Sequence, residues 1–268
     1  DLHMAVPYAH APLIERAPIA WQEQNGLRIP VTVSYNLGQD GSIGFALGAY
    51  NSALPLTIDP TLEYSTFIGG SGADRINAIA IDPGTGDIFI TGETSSSPFP
   101  GSPTSIGTTG AGSFPNVFVV RVKADGSGTA YRTVIGGTNT DKGLAIVIST
   151  GGIANVAGYS FSNNFPTTAG TAVSATYNNN GDTIAFALNA DGTLGYSSYL
   201  GGTSLDMGYA IAASGNLLYI AGSTDGVVTG ASSGPAGGTD AIVYKIDTTI
   251  SGASGQLYAR RLGGLFND

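Results

Sequence analysis

The 268-residue chain contains no cysteine, which excludes a disulfide framework, a Cys-ligated zinc and a thiol nucleophile together. Histidine is almost as scarce, with only His3 and His10 near the start of the chain. A Ser-His-Asp arrangement would have to borrow one of these two, and no serine occupies a G-x-S-x-G context at a strand-to-helix elbow. Charge is low as well. Asp, Glu, Lys and Arg make up 11% of residues, and 19 acids against 10 bases give a formal net charge of −9. Such a surface repels a phosphate backbone, so nucleic acid is excluded as a partner. No apolar run approaches the ~20 residues of a membrane-spanning helix. The first residues, DLHMAVPYAHAPLIERAP, lack the basic start and apolar stretch of a signal peptide.

Glycine is abundant, at 41 residues, and hydrophobic residues make up 42%. Gly-rich turns between short apolar strands account for this composition better than disorder does. A short phrase recurs four times: residues 64–74 (YSTFIGGSGAD), 131–141 (YRTVIGGTNTD), 196–206 (YSSYLGGTSLD) and 258–268 (YARRLGGLFND). Its aspartates, Asp74, Asp141, Asp206 and Asp268, are 67, 65 and 62 residues apart. A repeat of this length is one supersecondary unit that buries its apolar faces against its neighbours.

Each unit reads as four strands. The Tyr phrase is followed by an alternating run of small and branched residues (76–81, 144–148, 209–213), a tight turn, and a strand ending in Gly92, Gly158 or Gly222. A long Ser/Thr/Gly/Pro loop follows, then a fourth strand (117–122, 184–188, 241–246). In two units that strand runs into an Asp-Gly turn, Asp125-Gly126 or Asp191-Gly192. The expected fold is all-β: β-propeller-type blades of four antiparallel strands, three blades plus the start of a fourth, cut at 61–127, 128–192, 193–255 and 256–268. A β-helix is the competing architecture, but its coils are shorter and do not place one long loop at the same point of every unit. Residues 1–60 are expected to form a small β-rich module with an Asp40-Gly41 hairpin turn.

The order YSTxxGGxxxD, AIAxD, a strand ending in TG or AG, and a loop with Phe99-Pro100 or Phe165-Pro166 resembles the bacterial β-propeller repeat called SBBP. The third unit has Gly226-Val227-Val228 in place of Phe-Pro. Residues 17–23, 26–50 and 55–60 are similar to the region that precedes such repeats in large exported bacterial proteins, where it ends a longer β-rich domain. The resemblance implies a bacterial protein located outside the cell or at its surface. The expected partners are the remainder of a longer chain or further copies of this one, because a three-blade stack leaves open faces and edges. Surface glycans or proteins are expected at the long loops.

Candidate chemistry is sparse. Glu23, Glu63 and Glu93 are single acids, and Glu63 and Glu93 have no counterparts in the other units, where Gly195 and Tyr159 stand, which suits surface residues better than a glycosidase pair. Asp74, Asp141 and Asp206 are the candidates for calcium, which needs six to eight oxygens. The same aspartates also suit a turn-fixing role accepting backbone N–H bonds in every unit. The repeated Tyr64, Tyr131, Tyr196 and Tyr258 suit inter-blade packing, and Trp21 suits a core or domain-junction anchor. Arg260-Arg261 is too short a run for a basic patch, and residues 107–112 (GTTGAG) lack the Lys-Ser/Thr of a phosphate loop. The expectation is a non-catalytic extracellular scaffold, adhesive or binding in role, without a cofactor. A carbohydrate-binding module, or a glycoside hydrolase built on the loops, is the alternative.

Overall fold

The computed structural model describes residues 2–4, 13–15, 17–39, 41–59, 67–109, 114–178, 180–228, 231–232 and 238–263. It divides into two compact units, Asp1–Phe67 and Ile68–Asp268.

Among the described residues, the first unit holds seven short strands: β1 (Leu2–Met4), β2 (Leu13–Glu15), β3 (Ile19–Gln24), β4 (Leu27–Val31), β5 (Val33–Leu37), β6 (Ile43–Leu47) and β7 (Leu56–Asp59). They form a β1-β2 pair, a three-stranded sheet β4-β3-β7 and a β5-β6 hairpin. Asn25 and Gly26 both take positive φ (54° and 77°), the two-residue turn whose twist matches the flanking β3 and β4. Gln22 is buried on β3; its amide donates to the Asn51 carbonyl (2.7 Å) and the Leu54 carbonyl (3.0 Å), tying residues 51–54 to the sheet. Trp21 is half-buried, with the Arg28 guanidinium 4.5 Å above its ring, while Ala20 and Gln22 take the buried positions of β3. The tryptophan is thus covered by a cation rather than sealed in a core, because it alternates with those two along the strand.

Among the described residues, the second unit contains three sheets, each built on four antiparallel strands and two of them extended by a short fifth. The first is built from β8 (Asp74–Ile81), β9 (Ile88–Thr94), β11 (Asn116–Val122) and β12 (Thr129–Gly136). The second is β13 (Asp141–Ser149), β14 (Ile153–Ser160), β15 (Asp182–Leu188) and β16 (Leu194–Leu200). The third is β17 (Asp206–Ser214), β18 (Leu217–Thr224), β20 (Asp240–Asp247) and β21 (Gln256–Leu262). Two very short strands inside the long loops, β10 (Thr104–Gly107) and β19 (Ala231–Ser232), pair in parallel with β12 and β21. The sequence pattern does not expose them, because neither carries an alternating apolar run.

The sheets are out of phase with the sequence units. Each Tyr phrase from 131 onward forms the last strand of the sheet that precedes it, not the first strand of its own. Residues 256–262 accordingly close the third sheet rather than open a fourth, which corrects that expectation. The reason is that a repeat can be cut anywhere along its period, whereas pairing depends on which edge is free: Val117–Val122 pairs with residues 129–135, a few residues further on.

Packing follows strand alternation. Val117 and Val119 face the second sheet, where Val156, Ile184, Phe186 and Leu188 meet them in one buried cluster with Phe89 and Tyr131. The opposite face of the second sheet is lined by small residues, Ala157, Ala185 and Ala187, against the larger Leu218, Ile220, Ile242 and Tyr244 of the third. Small against large lets the sheets approach without voids. Tyr131 and Tyr196 are buried at these junctions, while Tyr258, on the outer face of the third sheet, is 44% exposed.

The first strands β8, β13 and β17 share one irregularity, a β-bulge at Asn77, Leu144 and Tyr209. Opposite the bulges stand Gly92, Gly158 and Gly222, and a Cβ on any of them would fall onto the carbonyl oxygen of Arg75, Lys142 or Met207. The glycine that ends each second strand in the sequence is thus required by the displaced carbonyl across from it.

Candidate functional site

The Gly-Gly turn leads into the first strand of each sheet, from the last strand of the sheet before it in the second and third copies, and the repeated aspartate fastens it. The Gly70, Gly137 and Gly202 N–H groups each donate to Oδ2 of Asp74, Asp141 or Asp206 at 2.8 Å. Two hydroxyls from the start of the long loop complete the clasp in the first two copies. Thr94 donates to Asp74 Oδ1 and Ser96 to Asp74 Oδ2 (2.8 Å). Ser160 donates to Asp141 Oδ1 and Ser162 to Asp141 Oδ2 (2.9 Å). The third copy has Gly226 where Ser96 and Ser162 stand, and loses that donor. Each calcium candidate therefore has carboxylate oxygens engaged by turn N–H groups and, at Asp74 and Asp141, by hydroxyls. Among the described residues no group of three or more His, Cys, Asp or Glu is placed to hold a metal ion.

Turn, clasp, bulged hairpin and loop form one module, and the module has a known counterpart. Residues 63–100 match the SBBP beta-propeller repeat. Residues 1–61, ahead of it, match the domain of unknown function DUF7948. No curated protein matches the chain. The SBBP match begins just before the Tyr phrase and ends at Pro100 in the first long loop, so it uses the phase of the sequence repeat and not that of the sheets. No helix among the described residues is long and apolar enough to cross a membrane.

Beyond the aspartate clasp lies a second set of polar residues that the sequence reading missed. Asn116, Asp182 and Asp240 open the third strand of each sheet and are all buried. A Cβ on Gly201 would touch Asp182 Oδ1 and Asp206 Oδ2, at 2.7 and 2.6 Å, so these two carboxyls converge on one glycine at the junction of the second and third sheets. Asp182 Oδ2 accepts the Asn178 N–H at 2.7 Å, while Oδ1 is buried without a hydrogen-bond partner. Burial, and secondarily the Asp206 charge, pushes the Asp182 carboxyl up to about 7. Burial raises Asp141 to about 6 against the opposing pull of the Gly137 N–H and the two serine hydroxyls. Asp240 is instead paired with the buried Arg261, whose Nε lies 2.6 Å from Oδ2.

Arg261 belongs to a position that differs in every blade. Opposite Phe118, Ile184 and Ile242 stand Val134, Tyr199 and Arg261. Tyr199 donates its hydroxyl to the Ser162 carbonyl and accepts the Phe165 N–H at 2.8 Å. Arg261 Nη1 donates to the Gly226 carbonyl at 3.3 Å, the counterpart of Ser162 in the third loop. These side chains anchor the base of the long loop to the sheet. In the first blade Phe99 does so by stacking on Phe118, with ring centroids 5.2 Å apart.

The remaining candidates are structural or undescribed. Glu93 pairs with Lys142 of the next sheet at 2.6 Å, and Glu23 lies 4.0 Å from Arg28 with both side chains exposed. A G-x-S-x-G pentapeptide occurs at residues 230–234, but its Ser232 is on β19 rather than at a strand-to-helix elbow. His10, Asp40, Glu63, Tyr64 and Asp268, the side chain of His3 and residues 110–112 of the Gly-rich phrase lie outside the described residues.

Proposed function

We propose that this chain is a non-catalytic binding scaffold, acting outside the cell or at its surface, in which stacked sheets present the long third loops to a partner. One observation carries the reading: the three loops leave equivalent sheet positions, after Thr94, Ser160 and Thr224, over a repeated framework, yet differ from each other in sequence, and the third (225–239) is shorter than the first two (95–115 and 161–181). A rigid scaffold bearing variable loops is a common design for recognition. Non-catalytic action is supported by the engagement of the repeated acids in the clasps. The test is a full-length protein whose loop segments 101–114, 169–180 and 229–238 are each replaced by a short Gly-Ser linker, which keeps the buried Phe99, Phe165 and Val228. Binding of the native chain to immobilised glycans or surface proteins, lost in the trimmed variant with the thermal transition kept, is the expected result. Turnover of a glycoside by the native chain would overturn it.

A glycan is favoured over a charged partner by the loops themselves. Residues 95–115 and 161–181 contain no Asp, Glu, Lys, Arg or His and are dominated by Ser, Thr, Asn, Gly and Pro. Such segments offer hydrogen bonds to neutral hydroxyls but no carboxyl pair for glycoside hydrolysis. This supports a carbohydrate-binding role over the loop-based hydrolase.

A further inference from the structure

The three blades treat one volume of space differently. In the second blade, the region between the third loop and the last strand is filled by Tyr199, with Tyr177 packed on it at a centroid distance of 5.9 Å. In the third, Arg261 crosses the equivalent region to reach Asp240 and the Gly226 carbonyl. In the first, the same register position holds Val134, which is too short to cross and carries no polar end. A cavity of about 250 Å³ lies there, with Val134 and Asn116 on its buried side. Ser97, Ser105 and Thr109 line its walls, and Phe114 stands at its rim, 50% exposed. Strand β10 helps to build it, since its pairing with β12 sets Ser105 directly opposite Val134.

The chemistry of this cavity selects its occupant. No charged side chain lines it, so an ion would lose its hydration without a partner. Asn116, 6% exposed, closes the floor of the cavity and holds its Oδ1 over Gly136. Serine and threonine hydroxyls act as both donors and acceptors, matching ligand hydroxyls. The exposed Phe114 ring offers a flat apolar face. The volume is below the ~300–1,000 Å³ of sites for drug-sized ligands, so it takes one ring and not an extended molecule.

We infer that the first blade carries a binding site for a single neutral pyranose, seated where the other blades place a tyrosine or an arginine, with the Ser97, Ser105 and Thr109 hydroxyls bonding its hydroxyls and Phe114 stacking on its face. This rests on the glycan-binding reading above and locates it in one loop. A ligand of about a dozen heavy atoms at ordinary efficiency binds with a Kd on the order of 1 mM.

The test is saturation-transfer NMR and titration of the full chain with glucose, galactose, mannose and N-acetylglucosamine, with sialic acid as the charged control. At least one neutral sugar is expected to bind at about millimolar Kd. Val134→Tyr, which introduces the side chain that the second blade already accommodates, should weaken it at least tenfold. Phe114→Ala, at an exposed position where folding is not at stake, should weaken it several-fold. Absence of binding by all four neutral sugars, preference for sialic acid, or unchanged affinity in Phe114→Ala would each overturn the inference. Glycan binding lost on trimming the loops but untouched by both point variants would overturn the pocket alone, leaving the scaffold reading in place.

Discussion

Replacing Asp182 by Asn should stabilise the protein at pH 8 and by less than half as much at pH 5. The carboxyl is 1% exposed, has one oxygen without a partner, and converges with Asp206 on Gly201. Its folded-state value of about 7, against an ordinary 3.8, means that the folded protein favours the protonated form. The associated stability is complete below pH 4 and is lost as the pH rises through 7. At 1.36 kcal/mol per pH unit, the separation corresponds to about 4 kcal/mol at pH 8. That is a ceiling, because the ionised form also gives the Asn178 N–H a stronger acceptor than an amide would, worth about 1 kcal/mol. A net gain of about 3 kcal/mol corresponds to a rise in Tm of roughly 6–12 °C for a domain of this size. Asparagine is suited to the position, since Asn116 occupies it in the first blade. Calorimetric scans of wild type and variant at pH 5, 6, 7 and 8 provide the assay. Asp141, at about 6, retains part of the slope in both proteins, so the diagnostic quantity is the difference between them from pH 6 to 8. A difference in Tm that stays constant with pH, or a variant less stable than wild type at pH 8, would refute the reasoning.

The other predictions concern the loop anchors and the bulge glycines. Arg261→Ala leaves Asp240 buried without its cation and should cost about 3–5 kcal/mol in urea denaturation. Adding Asp240→Asn to that variant should recover more than half of the loss, because the stranded charge is gone; no recovery would assign the cost to packing. Gly158→Ala places a methyl on the Lys142 carbonyl, and should lower the urea midpoint more than Gly151→Ala, whose methyl meets only open space although both glycines lie in or beside β14. Since Gly151 has a φ of 84°, its own replacement still costs about 1 kcal/mol. The comparison therefore measures the bulge clash beyond ordinary backbone strain, and equal midpoints would deny it.

What could be read from the chain depended on how local each interaction is. The period was legible because the clasp between Gly70, Gly137 or Gly202 and its aspartate spans four residues and leaves a fixed phrase. The hairpins were legible for the same reason. The phase was not, since nothing within 131–136 tells whether that strand pairs backward with β11 or forward with β13. The acids at Asp182 and Asp240 were hidden because each is one polar residue at a loop-strand boundary, and its meaning comes from Gly201 or Arg261 about twenty residues away. Least legible was the set Val134, Tyr199 and Arg261: three unlike residues give no repeat signal, and only superposed strand registers reveal that they share a position.

The offset between repeat and sheet has a mechanical meaning. Because β12 completes the antiparallel part of one sheet and then runs through a four-residue turn into β13, which begins the next, the backbone passes directly from sheet to sheet. A break in the Asp125-Gly126 turn would separate the chain between the third and fourth strands of a single sheet, and the two pieces would still be held by the β11-β12 ladder and its buried faces. A nicked chain should therefore migrate as one particle until denatured, and separately expressed halves divided at that turn should reassemble. To excise one blade intact, the cut belongs in residues 137–140, where no sheet loses a strand.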